Sequence, residues 1–335
     1  MSQPRRHHFV QAEHIRQFTN ENGTIWVYSK DGKTFQVAPE AIFWKRDLNS
    51  YETPDGLNTD FEPFVTEFEN ETFPAISRII KSETLSDEDL NLATAYLALS
   101  RFRNPSLQSG IIENHRQIAT TAAKLSDRNG KFDDLGPMPG FENRSLSELL
   151  DDGTIEFSIN NSVYIDNVVS MTKQSHTLLA NGFGWNLVKS PRGRVIISDH
   201  PLTFVHPGKD FGVYGIPLGG DGCEVAFPLS KHLYLVGLWK REFEAVESED
   251  FTDELNRRQA LFANRHIASG LKNRNWEELA FRNRNHAFQT KAETLNMGDE
   301  AMHILTSNIF ALEGRNPPAH LKPTSKLRPI FPANR

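Results

Sequence analysis

One cysteine, Cys223, in 335 residues rules out an intrachain disulfide framework and any zinc site built from several thiolates, and it fits a reducing compartment. No uninterrupted apolar run approaches the ~18 residues that a membrane-crossing helix needs. The basic N-terminus has no apolar core behind it of the kind that directs export. These absences predict a cytoplasmic protein without membrane association. An excess of positive charge is missing too. The formal net charge is −6, so anion binding has to come from a local basic patch. Phosphate-loop and nucleophile signatures are equally lacking. Gly219-Gly220-Asp221-Gly222 has no Gly-Lys-Ser/Thr after it, Ser198 sits in no Gly-x-Ser-x-Gly elbow, and Cys223 has no nucleophile context. P-loop nucleotide hydrolysis, dinucleotide binding and serine-hydrolase chemistry are therefore unsupported.

What is present suits a soluble globular chain, 38% apolar and 24% charged. From His8 to Phe18 the apolar positions fit a short helical face. Thr24–Ser29 and Thr34–Val37 flank Lys30-Asp31-Gly32-Lys33, a β-hairpin signal. Helices are predicted over 62–81, with Pro74 kinking or dividing it, from an N-cap at Ser86 to just before Pro105, and over 107–125, 145–150 and 163–179. Trp185–Val188 and Arg194–Ser198 flank Pro191-Arg192-Gly193 and predict a second hairpin. Strands follow at 224–227 and 233–238, then a helix over 253–269 and an extended Pro-rich tail. The class is α+β: an N-terminal hairpin and helices, a mostly antiparallel sheet in the second half, and C-terminal helices. The predicted organisation is one domain over 1–275, with a candidate internal boundary at the Gly/Pro-rich 127–143, and an extension over 276–335.

The order of short motifs resembles the bacterial family called domain of unknown function 4238. The resemblance rests on Arg6-His7-His8-Phe9-Val10 running to Phe18, Ile25-Trp26-Val27-Tyr28, and Glu69 ahead of Pro74-Ala75-Ile76. Arg103 before Pro105, Trp185 leading to Ser198-Asp199-His200-Pro201, and Phe227-Pro228-Leu229-Ser230 complete it. It spans roughly residues 5–275. The family has a proline after the valine and an aromatic three residues further on, where this chain has Gln11 and His14. Some members are associated with antiphage defence, which is what the resemblance implies here.

Five residues could carry chemistry. His7 and His8 offer imidazoles for acid–base work, but adjacent histidines point apart and lack the i, i+4 spacing of a helical metal pair. Each could equally be structural. Asp199 ends a strand before a proline, suited either to a rigidly held catalytic acid or to capping backbone amides. Glu69 lies among apolar helix positions and needs a partner, for which Arg103 is the candidate; the pair could be architectural or an acid–base and phosphate-clamp couple. The segment 257–284 is rich in arginine, and Arg257, Arg258, Arg265 and Arg274 could face a nucleic-acid backbone or form a solvated surface. The leading expectation is a hydrolase of a phosphodiester, RNA or another nucleic acid, acting in antiphage defence. The rival is a non-enzymatic module that senses nucleic acid or a phage component. The cofactor is left open, since a divalent ion would suit the chemistry but no ligand spacing points to one. Oligomeric state is left open too.

Overall fold

The computed structural model describes residues 5–132, 139–297, 300–312 and 327–331. It opens with strand β1 (Arg6–His8), helix α1 (Ala12–Arg16), hairpin β2 (Ile25–Ser29) and β3 (Thr34–Val37), and the short strands β4 (Trp44–Arg46), β5 (Tyr51–Thr53) and β6 (Gly56–Asn58). Helices α2 (Phe61–Ser82), α3 (Asp87–Phe102), α4 (Pro105–Arg128), α5 (Leu146–Asp151) and α6 (Ser162–Gly182) follow. The second half holds β7 (Phe183–Lys189), β8 (Ile197–Ser198), β9 (Thr203–Val205), β10 (Glu224–Ser230), β11 (Leu233–Trp239) and β12 (Val246–Glu247). Helix α7 (Glu249–Phe262), strand β13 (His266–Ser269), helix α8 (Arg274–Arg282) and a long hairpin of β14 (His286–Met297) and β15 (Glu300–Ala311) complete it. The fold is α+β.

The centre is a five-stranded sheet in the order β12-β7-β11-β10-β9, antiparallel except where β12 joins β7. Every residue of β10 is buried, so both sheet faces must be covered, and the two-residue period sorts them. Val225, Phe227, Leu233 and Leu235 pack with Phe73 and Ile76 of α2 and Tyr96 and Leu97 of α3. Ala226, Tyr234 and Val236 point the other way, against Val27, Ile197 and Ala268 of a second sheet, β3-β2-β13-β8. The molecule is thus a helical layer, a central sheet and a smaller sheet. Hairpin β14–β15 lies along α4. Gly110 allows that contact, because a Cβ there would come within 2.7 Å of the Thr290 carbonyl oxygen.

Several expectations are met. The β2–β3 hairpin closes through Ser29 N–H to Lys33 C=O at 2.8 Å, and Ser86 accepts from the Asp89 amide as the N-cap of α3. Others are corrected. Helix α2 runs through Pro74 undivided, so of the two effects expected of this proline the division does not occur. Helix α7 ends at Phe262 and residues 266–269 form β13, which fits between β2 and β8, so sheet pairing overrides the helical reading there. The stretches on either side of Pro191-Arg192-Gly193 are not a hairpin. Strand β7 pairs with β11, while the chain crosses to the other sheet, Val195 donating to Lys231 C=O and Ile196 to Asn256 Oδ1. Part of the 127–143 stretch and most of the proline-rich tail lie outside the described residues, but Leu327 and Ile330 are buried in the core.

Candidate functional site

Strand β1 places His7 and His8 on opposite faces. His7 is fully buried, and its Nδ1 accepts from the Asn49 amide at 2.9 Å, which leaves the ring proton on Nε2. His8 is half-buried. Its Nε2 lies 3.2 Å from the Glu40 carbonyl, which can only accept, so in the neutral ring the proton sits on Nε2 and the lone pair on Nδ1. Burial lowers the pKa of His8, the Glu40 carbonyl opposes that, and the Arg103 charge adds to the lowering.

Arg103 and Glu69 meet as a buried ion pair. One terminal nitrogen of Arg103 donates to Glu69 and the other to the His8 backbone carbonyl, so the pair ties β1 to α2 and to the end of α3. Burial raises the Glu69 pKa against the pull of Arg103. Arg103 therefore joins the Glu69 side chain to the His8 backbone, with His7 on the far side of the same strand. Asp199 is held elsewhere. Its Oδ1 accepts from the Asn264 amide at 2.7 Å and its Oδ2 from the amides of Arg265 and His266, at 2.7 Å and 3.1 Å. The carboxylate caps the turn between α7 and β13.

Asp199 lines an open cleft of about 850 Å³, together with Phe9, Phe35, Trp44, Lys45, Pro105, Ser106, Arg265, His266, Thr290 and Lys291. His8 pairs across the β1–β4 ladder with Trp44, which borders this cleft. Arg265 and Lys291 are exposed and Lys45 half-buried. Lys45 donates to Gln108 Oε1 at 2.5 Å, and burial lowers its pKa. Against these three cations the one carboxylate that lines the cleft among the described residues already accepts three amide hydrogens, so the described surface is cationic and flanked by aromatic rings. Lys45 and Lys291 carry no motif signal, and only their placement reveals them.

The arginine-rich segment does not form one basic face. Arg258 is buried, 1% exposed, and pairs with Glu224 and Glu254 while donating to the Arg328 carbonyl. It is a core strut and is unavailable to a ligand. Arg257 pairs with Glu254. Arg274 is exposed, with Glu278 at 3.6 Å, and of the four expected binding arginines only Arg265 lines the cleft. Among the described residues, no group of three or more His, Cys, Asp or Glu side chains is placed to hold a metal ion, and no helix is long and apolar enough to cross a membrane.

The two departures at the N-terminus are accommodated physically. Gln11 has φ −56°, a value proline would impose. His14 sits where an aromatic is expected and behaves as one, stacked on Phe227 at 5.0 Å with edge contacts to Phe18 and Tyr96. Its Nε2 hydrogen satisfies the Pro228 carbonyl at 2.7 Å.

No curated protein and no solved structure matches the chain. The model of the family described as protein of unknown function (DUF4238) matches residues 6–273, a span containing the His-Phe-Val, Arg-x-Pro and Asp-His-Pro segments whose Phe9, Pro105 and Asp199 meet in the cleft. The chain belongs to that family.

Proposed function

We propose that the chain is a hydrolase acting on a phosphodiester, RNA or another nucleic acid, with the cleft as its strand-binding surface. One observation carries the reading: Lys45, Arg265 and Lys291 line a cleft in which, among the described residues, the only carboxylate is Asp199, already accepting three backbone amide hydrogens. Cations of this kind follow a phosphate backbone, and Phe9, Phe35 and Trp44 offer faces on which unpaired bases stack. His8, which is not itself among the lining residues but pairs with the cleft-lining Trp44, serves as proton acceptor through Nδ1, its pKa lowered by burial. Glu69 and Arg103 act as positioning residues, since Arg103 fixes the His8 backbone. The defence role implied by the family resemblance fits a nuclease that acts on phage nucleic acid.

The engagement of Glu69, Arg103 and Asp199 in internal contacts favours a second reading, a module that binds nucleic acid without cutting it. Titration of a labelled single-stranded RNA tests both. Arg265→Glu with Lys291→Glu should weaken binding at least tenfold and flatten its salt dependence, by about 0.7 in log–log slope per lost phosphate contact. Binding unchanged by the charge reversals would sink both readings. If RNA is cleaved, His8→Gln should abolish cleavage while binding persists. Binding without cleavage selects the module.

A further inference from the structure

A second pocket, of about 250 Å³, lies behind the cleft and is lined by Arg101, Asn104, Ser106, His200, Thr290 and Ser307, among others. Tyr214, 90% exposed, stands at its rim. The buried arginines Arg103 and Arg258 meet the carboxylates of Glu69 and Glu224, because an uncompensated buried charge is costly. Arg101, half-buried at the pocket wall, is different. Among the described residues its guanidinium finds only the Ser175 hydroxyl at 3.2 Å and the rings of Phe102 and Phe204, at 5.0 Å and 4.7 Å. Burial lowers its pKa to about 10, which still leaves it charged at neutral pH.

His200 supplies the second observation. It is 3% exposed and lines the same pocket, and among the described residues its buried Nδ1 has no hydrogen-bond partner. The Arg101 charge acts on its ring. The third is the first turn of α4, whose Ser106 and Leu107 border the pocket and bring the positive end of a 24-residue helix to it. Among the described residues, no acidic side chain lines the space. We infer that this pocket binds a phosphate-sized oxyanion, with Arg101 as its counter-charge and the His200 Nδ1 hydrogen as a second donor. Asp199 and His200, neighbours in sequence, thus face two different spaces. The inference does not rest on the nucleic-acid reading of the cleft.

Thermal unfolding and calorimetric titration of the full chain with inorganic phosphate test it, at constant ionic strength set with chloride and with acetate as a parallel arm. Phosphate should raise the Tm of the parent in proportion to ln(1 + [L]/Kd) and give a saturable heat. Arg101→Met should be at least as stable as the parent without phosphate and bind phosphate at least tenfold more weakly. Equal phosphate responses in parent and variant, or none in the parent, would overturn the site. A larger response to acetate would overturn the phosphate assignment. If Arg101→Met does not fold, His200→Asn replaces it: severalfold weaker phosphate binding is expected, and unchanged binding overturns the proposal.

Discussion

Single side chains in this molecule are held by charge and burial more than by exposure to ligand. Arg258 is the clearest case. Its guanidinium joins Glu224, Glu254 and the Arg328 carbonyl inside the core, and Glu224 also accepts from the Ile330 amide. Removing one partner leaves a buried carboxylate without a counter-charge. Arg258→Ala should therefore cost about 3–5 kcal/mol in urea unfolding, and the double variant Arg258→Met with Glu224→Leu should recover much of it. His14 makes a pH prediction. Burial holds its pKa at about 4, below the ordinary 6.5, so the folded state resists a proton that the unfolded chain accepts. Stability contributed by the neutral ring is present above pH 6.5 and is lost as the pH falls toward 4. His200, held at about 4 by burial, acts in the same direction. In His14→Phe the slope of stability against pH across this window should be shallower, although the Pro228 carbonyl loses its donor.

At the scale of elements, the seam between α4 and β14 sets the shape of both cavities. Ser106 Oγ accepts from the Thr290 amide at 3.0 Å, and Gly110 brings the helix onto the strand. Gly110→Ala would ordinarily stabilise a helix by about 0.5–1 kcal/mol. Here the added Cβ would meet the Thr290 carbonyl at 2.7 Å, so a net loss of about 1–3 kcal/mol is expected, together with, on the proposed reading of the cleft, weakened RNA binding; stabilisation in thermal unfolding would contradict the seam. Elements with local signals were legible in the sequence. The Asp31-Gly32 turn marks β2–β3 because Gly32 adopts φ +89°, and Ser86 marks the start of α3. Elements decided by remote partners were not legible. The four residues of β13 are strand only because β2 and β8 flank them, and the chain after β7 leaves its sheet although its local pattern looks like a hairpin. The candidate site divides in the same way. Glu69 and Arg103 could be paired from burial logic, whereas Lys45, Lys291 and Arg101 carry no local mark, and the buried place of Arg258 follows from a fold that brings Glu224 to α7.

The molecule as a whole is closed by its far end. Leu327 and Ile330 enter the core, Ile330 in the cluster shared by the two sheets, and the Arg328 and Ile330 backbones complete the Arg258–Glu224 network. Truncation after residue 326 removes two buried aliphatic side chains, each stabilising by about 1.5–3 kcal/mol, and strips Glu224 of a donor. The shortened chain should melt several degrees lower; an unchanged Tm would show that the terminal segment is dispensable. The core thus includes residues beyond the 6–273 span that carries the family match.

The cleft and the pocket share a wall, since Ser106 and Thr290 border both spaces. A substitution at either position disturbs two chambers at once, so a lost activity there could not be traced to one of them. The separable handles lie on opposite sides of the wall: Arg265 for the outer chamber and Arg101 for the inner. A genetic dissection of this protein has to begin with those two arginines.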